Sequence, residues 1–315
     1  MKKPRRSRLI PGIRKTDYLF EPNHYFLSKD SSAEDGPNIG TLGKNLTITF
    51  LSLNRSALSA RLLASIVKHI PRFAGEILIV DNGSAAKELI QLQEACKSFP
   101  FRWRIVELEK NHGVGGGRNR TIPYVNTDWI MFLDNDIYFI DDPLQAIQTD
   151  IALLGCHFLN LPLLDKDGTV TAIGGHFYIW PQDDKYHTIC KSAWIPQQQN
   201  SFSGQCFLST FLSGGACVIK KQTFQQIGAY DEGMFIGYED LDLSIRLFQA
   251  GYKIGNTGCF AWVHDHCEAV AELDRQYEKL RWSLETIRGA AEYFEKKHKL
   301  VVWDDALIAW IAAKE

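Results

Sequence analysis

The chain has 315 residues, 45% of them hydrophobic and 23% charged, with a formal net charge of −2. That balance excludes a disordered chain, and it lacks the basic excess of a nucleic-acid binder. The longest apolar runs, such as Ala306 to Ala313, stop well short of the roughly 18–20 residues that cross a bilayer, so no membrane-spanning segment is expected.

The amino terminus carries Lys2, Lys3, Arg5, Arg6, Arg8, Arg14 and Lys15 but no apolar run of signal-peptide length, so the mature protein is expected to start near Met1. The basic run reads as a solvated tail, with contact to an anionic membrane surface as the competing reading. Residues 1–44 show no sustained periodicity and read as an extension before the folded body. The seven cysteines are odd in number and form no C-x-x-C pair, which points to reduced cytosolic thiols and no zinc site.

From Leu46 the pattern turns regular. An apolar run to Leu53, a helical stretch from Ala57 to Ile70 and a second run from Glu76 to Val80 stopped by Asp81-Asn82-Gly83-Ser84 predict a βαβ unit. A helix is expected near Ala85 to Lys97, a strand near Trp103 to Leu108, a glycine-rich turn into a helix near Gly117 to Val125, and a strand from Trp129 to Leu133. This alternation implies a mostly parallel sheet flanked by helices, with ligands at the carboxyl ends of its strands.

After residue 141 the spacing is less regular, with strands expected at Ile151 to Phe158, Val170 to Trp180, Cys206 to Phe211 and Ala216 to Ile219, and a long polar loop from Pro181 to Gly204. A helix from Asp240 to Ala250 and strands near Lys253 to Asn256 and Cys259 to Val263 follow. Val270, Leu273, Tyr277, Leu280, Leu284, Ile287, Ala291 and Phe294 alternate spacings of three and four, one apolar stripe that would pack on the protein's own body or form a homodimer contact. The tail with Trp303, Leu307 and Trp310 reads as core, partner surface or membrane-interface anchor.

Chemistry concentrates at a few strand ends and helix starts. Asp134 and Asp136 stand directly after a strand, a pattern suited to a hard divalent cation such as Mg²⁺ or Mn²⁺ shared with phosphate oxygens. Asp81 ends the neighbouring strand, where a carboxylate can accept from a nucleobase N–H and Gly83 permits a tight turn. The run from His112 to Asn119 lacks the G-x-G-x-x-G spacing of a dinucleotide loop and better fits close backbone approach to another nucleotide. At 100° per residue, Asp240 and Asp242 lie about 200° apart on a helix, so they cannot serve one site equally. Asp242 and Arg246 read as an intrahelical pair, and Glu239 and Asp240 sit at a helix start, with Asp240 a plausible general base. His264 and His266, two apart at a strand end, could complete a metal shell.

Taken in order, Ile48 to Arg55, Val80 to Ser84, Asn111 to Asn119, Asp134 to Asp136 and Gly228 to Leu247 resemble the five motifs of the family 2 glycosyltransferases. The resemblance spans residues 46–267 and implies a GT-A fold and an inverting, Mn²⁺- or Mg²⁺-dependent transfer of a sugar from a nucleotide diphosphate to an acceptor hydroxyl. The domains it implies are 45–267 as the catalytic unit, with 45–140 holding the nucleotide sugar and 141–267 the acceptor, followed by a helical extension over 268–315.

Carried onto matching positions, Leu53, Asn54, Arg55, Asp81, Asn82, Asn111, Gly113, Arg118, Asp134 and Asn135 would bind the donor, UDP or dTDP foremost. Asp136, Asp134 and His264 or His266 would hold the metal, Asp240 would be the base, and Glu239, also of the catalytic pair, would orient the acceptor. Gly214, Gly215, Tyr238 and Glu239 would face a saccharide or lipid-linked glycan acceptor, in cell-envelope or capsule assembly at the cytoplasmic side of a membrane. Two departures stand out: Ser52-Leu53 replaces the usual small hydroxylated or proline turn, and the stretch before Arg118 is richer in glycine. The readings set against an active transferase are a degenerate sugar-nucleotide-binding or scaffold protein and a nucleotidyltransferase of related sheet.

Overall fold

The computed structural model describes residues 39–172, 174–192, 205–266 and 271–302. The first half follows the expected alternation: β1 (Leu46–Ser52), α1 (Ser56–His69), β2 (Glu76–Asp81), α2 (Ala86–Lys97), β3 (Arg102–Glu107), α3 (Gly113–Asn119) and β4 (Trp129–Asp134). Strands β3, β2, β1 and β4 lie side by side in that order and parallel. Alternation along them supplies two cores at once. Ile48, Phe50, Ile77, Ile79, Met131 and Leu133 pack on the face covered by α1 and α2, whereas Leu78, Val80, Ile130 and Phe132 point to the other face.

After β4 come β5 (Ile137–Phe139), α4 (Leu144–Leu154), β6 (Phe158–Asn160), β7 (Leu163–Leu164), β8 (Val170–Ala172), β9 (Gly175–Gln182) and β10 (Lys185–Ser192). They are followed by β11 (Phe207–Ser209), β12 (Ala216–Lys220), α5 (Lys221–Gln226), α6 (Glu239–Ala250), β13 (Ile254–Asn256) and β14 (Trp262–His264). β12 inserts antiparallel between β4 and β6, and β13 and β11 complete an eight-stranded mixed sheet. A second sheet has the order β5-β14-β7-β8. The chain ends, among the described residues, with α7 (Glu272–Arg281), α8 (Leu284–His298) and β15 (Leu300–Val301), which pairs with β10 in a third sheet beside β9.

Several expected elements are corrected. The apolar stretch from Ile151 is not the start of a strand but the last turn of α4: Leu144, Ile147 and Ile151 are its buried face, Gly155 ends it in the left-handed region (φ 61°), and the strand starts at Phe158. The helix placed at Gly117 to Val125 begins at Gly113 instead and gives way to a 3₁₀ turn at Ile122–Tyr124. The polar loop from Pro181 is, through Ser192, an antiparallel hairpin turning on Asp183 and Asp184, both at positive φ. Its remainder, 193–204, lies outside the described residues, as do the basic amino terminus and the tail from Trp303.

The single C-terminal stripe is two helices. α7 stops at Trp282, and the Ser283 hydroxyl accepts from the Thr286 N–H to cap α8. Only the second helix is buried along the stripe, through Ile287, Ala291 and Phe294, whereas Leu273 and Leu280 of α7 are exposed. Helix α6 lies between two cores: Leu243 and Leu247 pack toward the main sheet, while Leu241, Ile245 and Phe248 meet β9, α8 and β15. No described helix is long and apolar enough to cross a membrane.

Candidate active site

Strand order reverses between β1 and β4, and the carboxyl ends of β1, β2 and β4 meet there, with Ser52 opposite Asp81 and Leu51 opposite Asp134. A crevice opens at such a point because the connections leave in opposite directions. One wall is the turn after β2. Asp81 is buried; its Oδ2 accepts from the Ser84 N–H at 3.1 Å, and its Oδ1 accepts no hydrogen bond. Asn82 donates to Asn111 Oδ1 and to the Gly113 carbonyl, both at 3.0 Å, and accepts from the His112 N–H at 2.9 Å, tying this turn to α3. Gly113 has φ 75°, and a Cβ there would stand 2.0 Å from the Phe235 carbonyl oxygen, so only glycine fits.

Asn54 and Arg55, at the end of β1, both adopt left-handed backbone. The Asn54 side chain accepts from the Ala85 N–H and is used to hold the neighbouring turn. Arg55 reaches Asp274 at 3.4 Å and Glu278 at 3.9 Å on α7.

The next strand ends supply the charged centre. Asp134 closes β4, and Asp136 stands just before β5, which pairs with β14 so that His264 lies opposite Ile137. His264 Nε2 is 3.1 Å from Asp136 Oδ1. Burial works against the Asp136 carboxylate, but its hydrogen bond and attraction to His264 prevail and hold its pKa below the ordinary value. Burial likewise opposes the charged form of His264, but Asp136 outweighs it and raises the imidazole pKa. The Asp136 carbonyl accepts from the Asp265 N–H at 3.0 Å and from Arg61 at 3.3 Å, and Asp265 is in turn paired with Arg61 and Lys166.

One donor atom each of Asp134, Asp136 and His264 lies within 4.8 Å of the others. Two carboxylate oxygens and one imidazole nitrogen at that spacing fit Mg²⁺ or Mn²⁺. Of the two candidate histidines, His264 joins this group; His266 is exposed, its ring tilted 44° to that of His264 with centroids 3.8 Å apart.

Beneath Asp134, the buried Arg118 donates to its Oδ1 at 2.8 Å, so this arginine meets the site through Asp134 and does not line the crevice. Asp134 itself is 41% exposed, yet the narrow crevice removes enough water to raise its pKa, against the pull of Arg118. Two glycines then join the halves. A Cβ on Gly215 would stand 3.4 Å from Asp134 Oδ2, and one on Gly214 would stand 3.5 Å from Asp240 Oδ2. The Gly214 N–H also points to Asp240 Oδ2 at 3.4 Å.

Glu239 and Asp240 open α6 after Gly237 and Tyr238, both at positive φ, and Asp240 Oδ1 accepts from the Leu241 N–H. Burial, then repulsion from Asp240, pushes the Glu239 carboxyl up to about 7, and burial raises Asp240 against hydrogen bonds from Gly214 and Leu241. Tyr238 faces α8, its ring 6.1 Å from Phe294.

The crevice brings together Leu53, Arg55, Asn82, Gly113, Asp134, Asn135, Asp136, His264 and His266 of the residues read from sequence. It also holds Tyr277, Glu278 and Arg281 of α7, which sequence reasoning did not single out. Their spacing of one and three residues on an amphipathic helix carries no chemical signature; only the position of α7 over the crevice reveals them.

The family described as Glycosyl transferase family 2 matches residues 48–156. Polypeptide N-acetylgalactosaminyltransferase 5 of Mus musculus is 23% identical over 198 residues, covering 60% of this chain and 21% of its own length. A pre-mycofactocin glycosyltransferase of Mycobacterium tuberculosis is 24% identical over 244 residues, covering 75% of this chain and 46% of its own. The chain thus spans between about a fifth and a half of these curated relatives. Among solved structures, GalNAc-T7 with UDP, GalNAc and Mn²⁺ aligns with TM-score 0.56 and 15% identity over 95% of this chain and 59% of that one, which shows a shared fold.

Proposed function

We propose that this chain, whose residues 48–156 belong to glycosyl transferase family 2 on a GT-A fold, is an inverting, metal-dependent glycosyltransferase. It would move a sugar from a nucleotide diphosphate to an acceptor hydroxyl of a saccharide or lipid-linked glycan, UDP and dTDP being the leading donors. The observation that carries this is the two-glycine floor: a Cβ on Gly215 would meet Asp134 on the donor side and one on Gly214 would meet Asp240 on the other, so two consecutive residues without side chains link the two acids. In support, UDP and Mn²⁺ are bound by GalNAc-T7, whose fold this chain shares.

Asp81 Oδ1, buried and without a hydrogen bond at the end of β2, would accept from a base N–H, and the crevice lined by Asn82, Asp134 and Asp136 would hold the nucleotide beside it. Asp134, Asp136 and His264 would hold a divalent cation, which supplies charge stabilisation to the departing diphosphate. Asp240 removes the proton of the acceptor hydroxyl while that oxygen bonds to the anomeric carbon and the bond from the anomeric carbon to the diphosphate breaks on the opposite face. Attack from the opposite face inverts the configuration. Arg118, always charged and fully buried, keeps Asp134 in place.

A thermal-shift panel of UDP, dTDP, GDP, CDP and NAD, each with and without Mn²⁺, tests this reading, because ligand binding to the native state raises the melting temperature. A Mn²⁺-dependent shift with one nucleoside diphosphate is expected. No shift with any nucleotide would leave a degenerate scaffold as the better reading, and a shift with NAD alone would overturn the transferase.

A further inference from the structure

Helix α6 carries a third acid that does not face the crevice. Asp242 is fully buried, and burying a carboxylate is costly unless each oxygen is paired. Its own helix supplies half of the pairing: Arg246 Nε donates to Oδ2 at 2.8 Å. The other oxygen, Oδ1, depends on α8, with His298 Nε2 at 2.7 Å and Lys297 Nζ at 2.6 Å.

The contacts extend to the segment that leads into α6. Arg246 also donates to the Ile227 carbonyl at 2.7 Å and the Ala229 carbonyl at 2.6 Å, and Lys297 pairs with Asp231 at 2.5 Å. Around these charges, Phe294 stacks between the His298 ring, at 4.7 Å, and the Tyr238 ring. Tyr238 immediately precedes Glu239 and Asp240. The first turn of α6 is therefore held on the side away from the crevice by the last turn of α8, outside the stretch that matches the family.

We propose that Asp242, Lys297 and His298 form a clamp by which the C-terminal helix fixes the bearing of α6, making Lys297 and His298 positioning residues for Asp240; this rests on Asp240 being the base. Because Asp240 and Asp242 lie on opposite sides of one helix turn, rotation of α6 that relieves an unpaired Asp242 swings Asp240 away from Gly214.

The test uses the full chain, needs no acceptor, and reads amide hydrogen exchange residue by residue. His298→Ala is expected to speed exchange of residues 242–247 about 10-fold or more while β1 and β2 keep their protection. His298→Gln, which retains an N–H donor, is expected to restore most of it. Glu292→Gly, which loosens α8 from its exposed side and lies in none of these contacts, is expected to leave residues 242–247 unchanged. Unaltered exchange in His298→Ala, or equal acceleration by Glu292→Gly, overturns the clamp. Donor turnover separates this from the reading it rests on: full turnover in Asp240→Asn removes Asp240 as base and leaves the clamp as an anchor of α6, whereas an inactive Asp240→Asn beside an unmoved α6 in His298→Ala removes the clamp alone.

Discussion

Glu239 and Asp240 are adjacent carboxylates whose ionised forms are both disfavoured by burial. A general base must be ionised to act. Activity is therefore expected to fall as pH drops through the raised range of Asp240, at a higher pH than an exposed aspartate would give, measured as donor turnover against pH. Asp240→Asn should lower turnover about 100-fold or more while nucleotide affinity persists. Asp136→Ala should abolish the Mn²⁺-dependent part of nucleotide binding in calorimetry; unchanged affinity with Mn²⁺ would discard that site.

The choice between His264 and His266 was not legible in the sequence, since both sit at one strand end with the same local spacing. Pairing of β14 with β5 decides it by setting His264 beside Asp136. Arg118 is a similar case: its motif announces a nucleotide-side residue, but its burial under Asp134 depends on how α3 packs against β1 and the segment with Tyr230 and Phe235.

At the level of elements, α3 shows a helix that local preference alone would not form. It contains four glycines in seven residues, each costing about 1 kcal/mol relative to alanine in a helix interior. Close packing compensates: Gly113 abuts the Phe235 carbonyl, an approach that any side chain would block, and Gly117 lies against the Leu51 methyl groups. Gly113→Ala combines positive φ with a contact no side chain tolerates, and is expected to cost several kcal/mol in urea unfolding or to abolish folding.

The misplaced helix start at Gly117 and the strand expected at Ile151 share a cause. In both, the helix is set by residues upstream of the apolar or basic window, Gly113 in one case and Leu144 with Ile147 in the other. The hairpin after Pro181 escaped because Asp183-Asp184 replaces the usual glycine in its positive-φ turn.

Over the whole molecule, the expected separation into a catalytic unit and a C-terminal extension meets a shared core. Phe294, Ala290 and Leu300 of the extension pack with Leu241 and Ile245 of α6 and with Phe177 and Ile179 of β9. A core shared in this way should melt together. Residues 45–302 are expected to unfold in a single cooperative transition with coincident fluorescence and circular dichroism, whereas an early transition confined to the extension would mark it as an independent domain.

The sequence by itself determined the α/β class, the order of the first seven elements, the strand-end acids and the likeness of residues 48–156 to glycosyl transferase family 2, because each is written in local periodicity or in chemical residue types at fixed spacing. Only the tertiary structure decided which histidine joins the aspartates, that α7 covers the crevice with Tyr277 and Arg281, and that α8 grips Asp242. These are contacts between segments far apart in the chain, such as Asp136 with His264 and Asp242 with His298, and their distances are set by sheet register and by how helices pack on it.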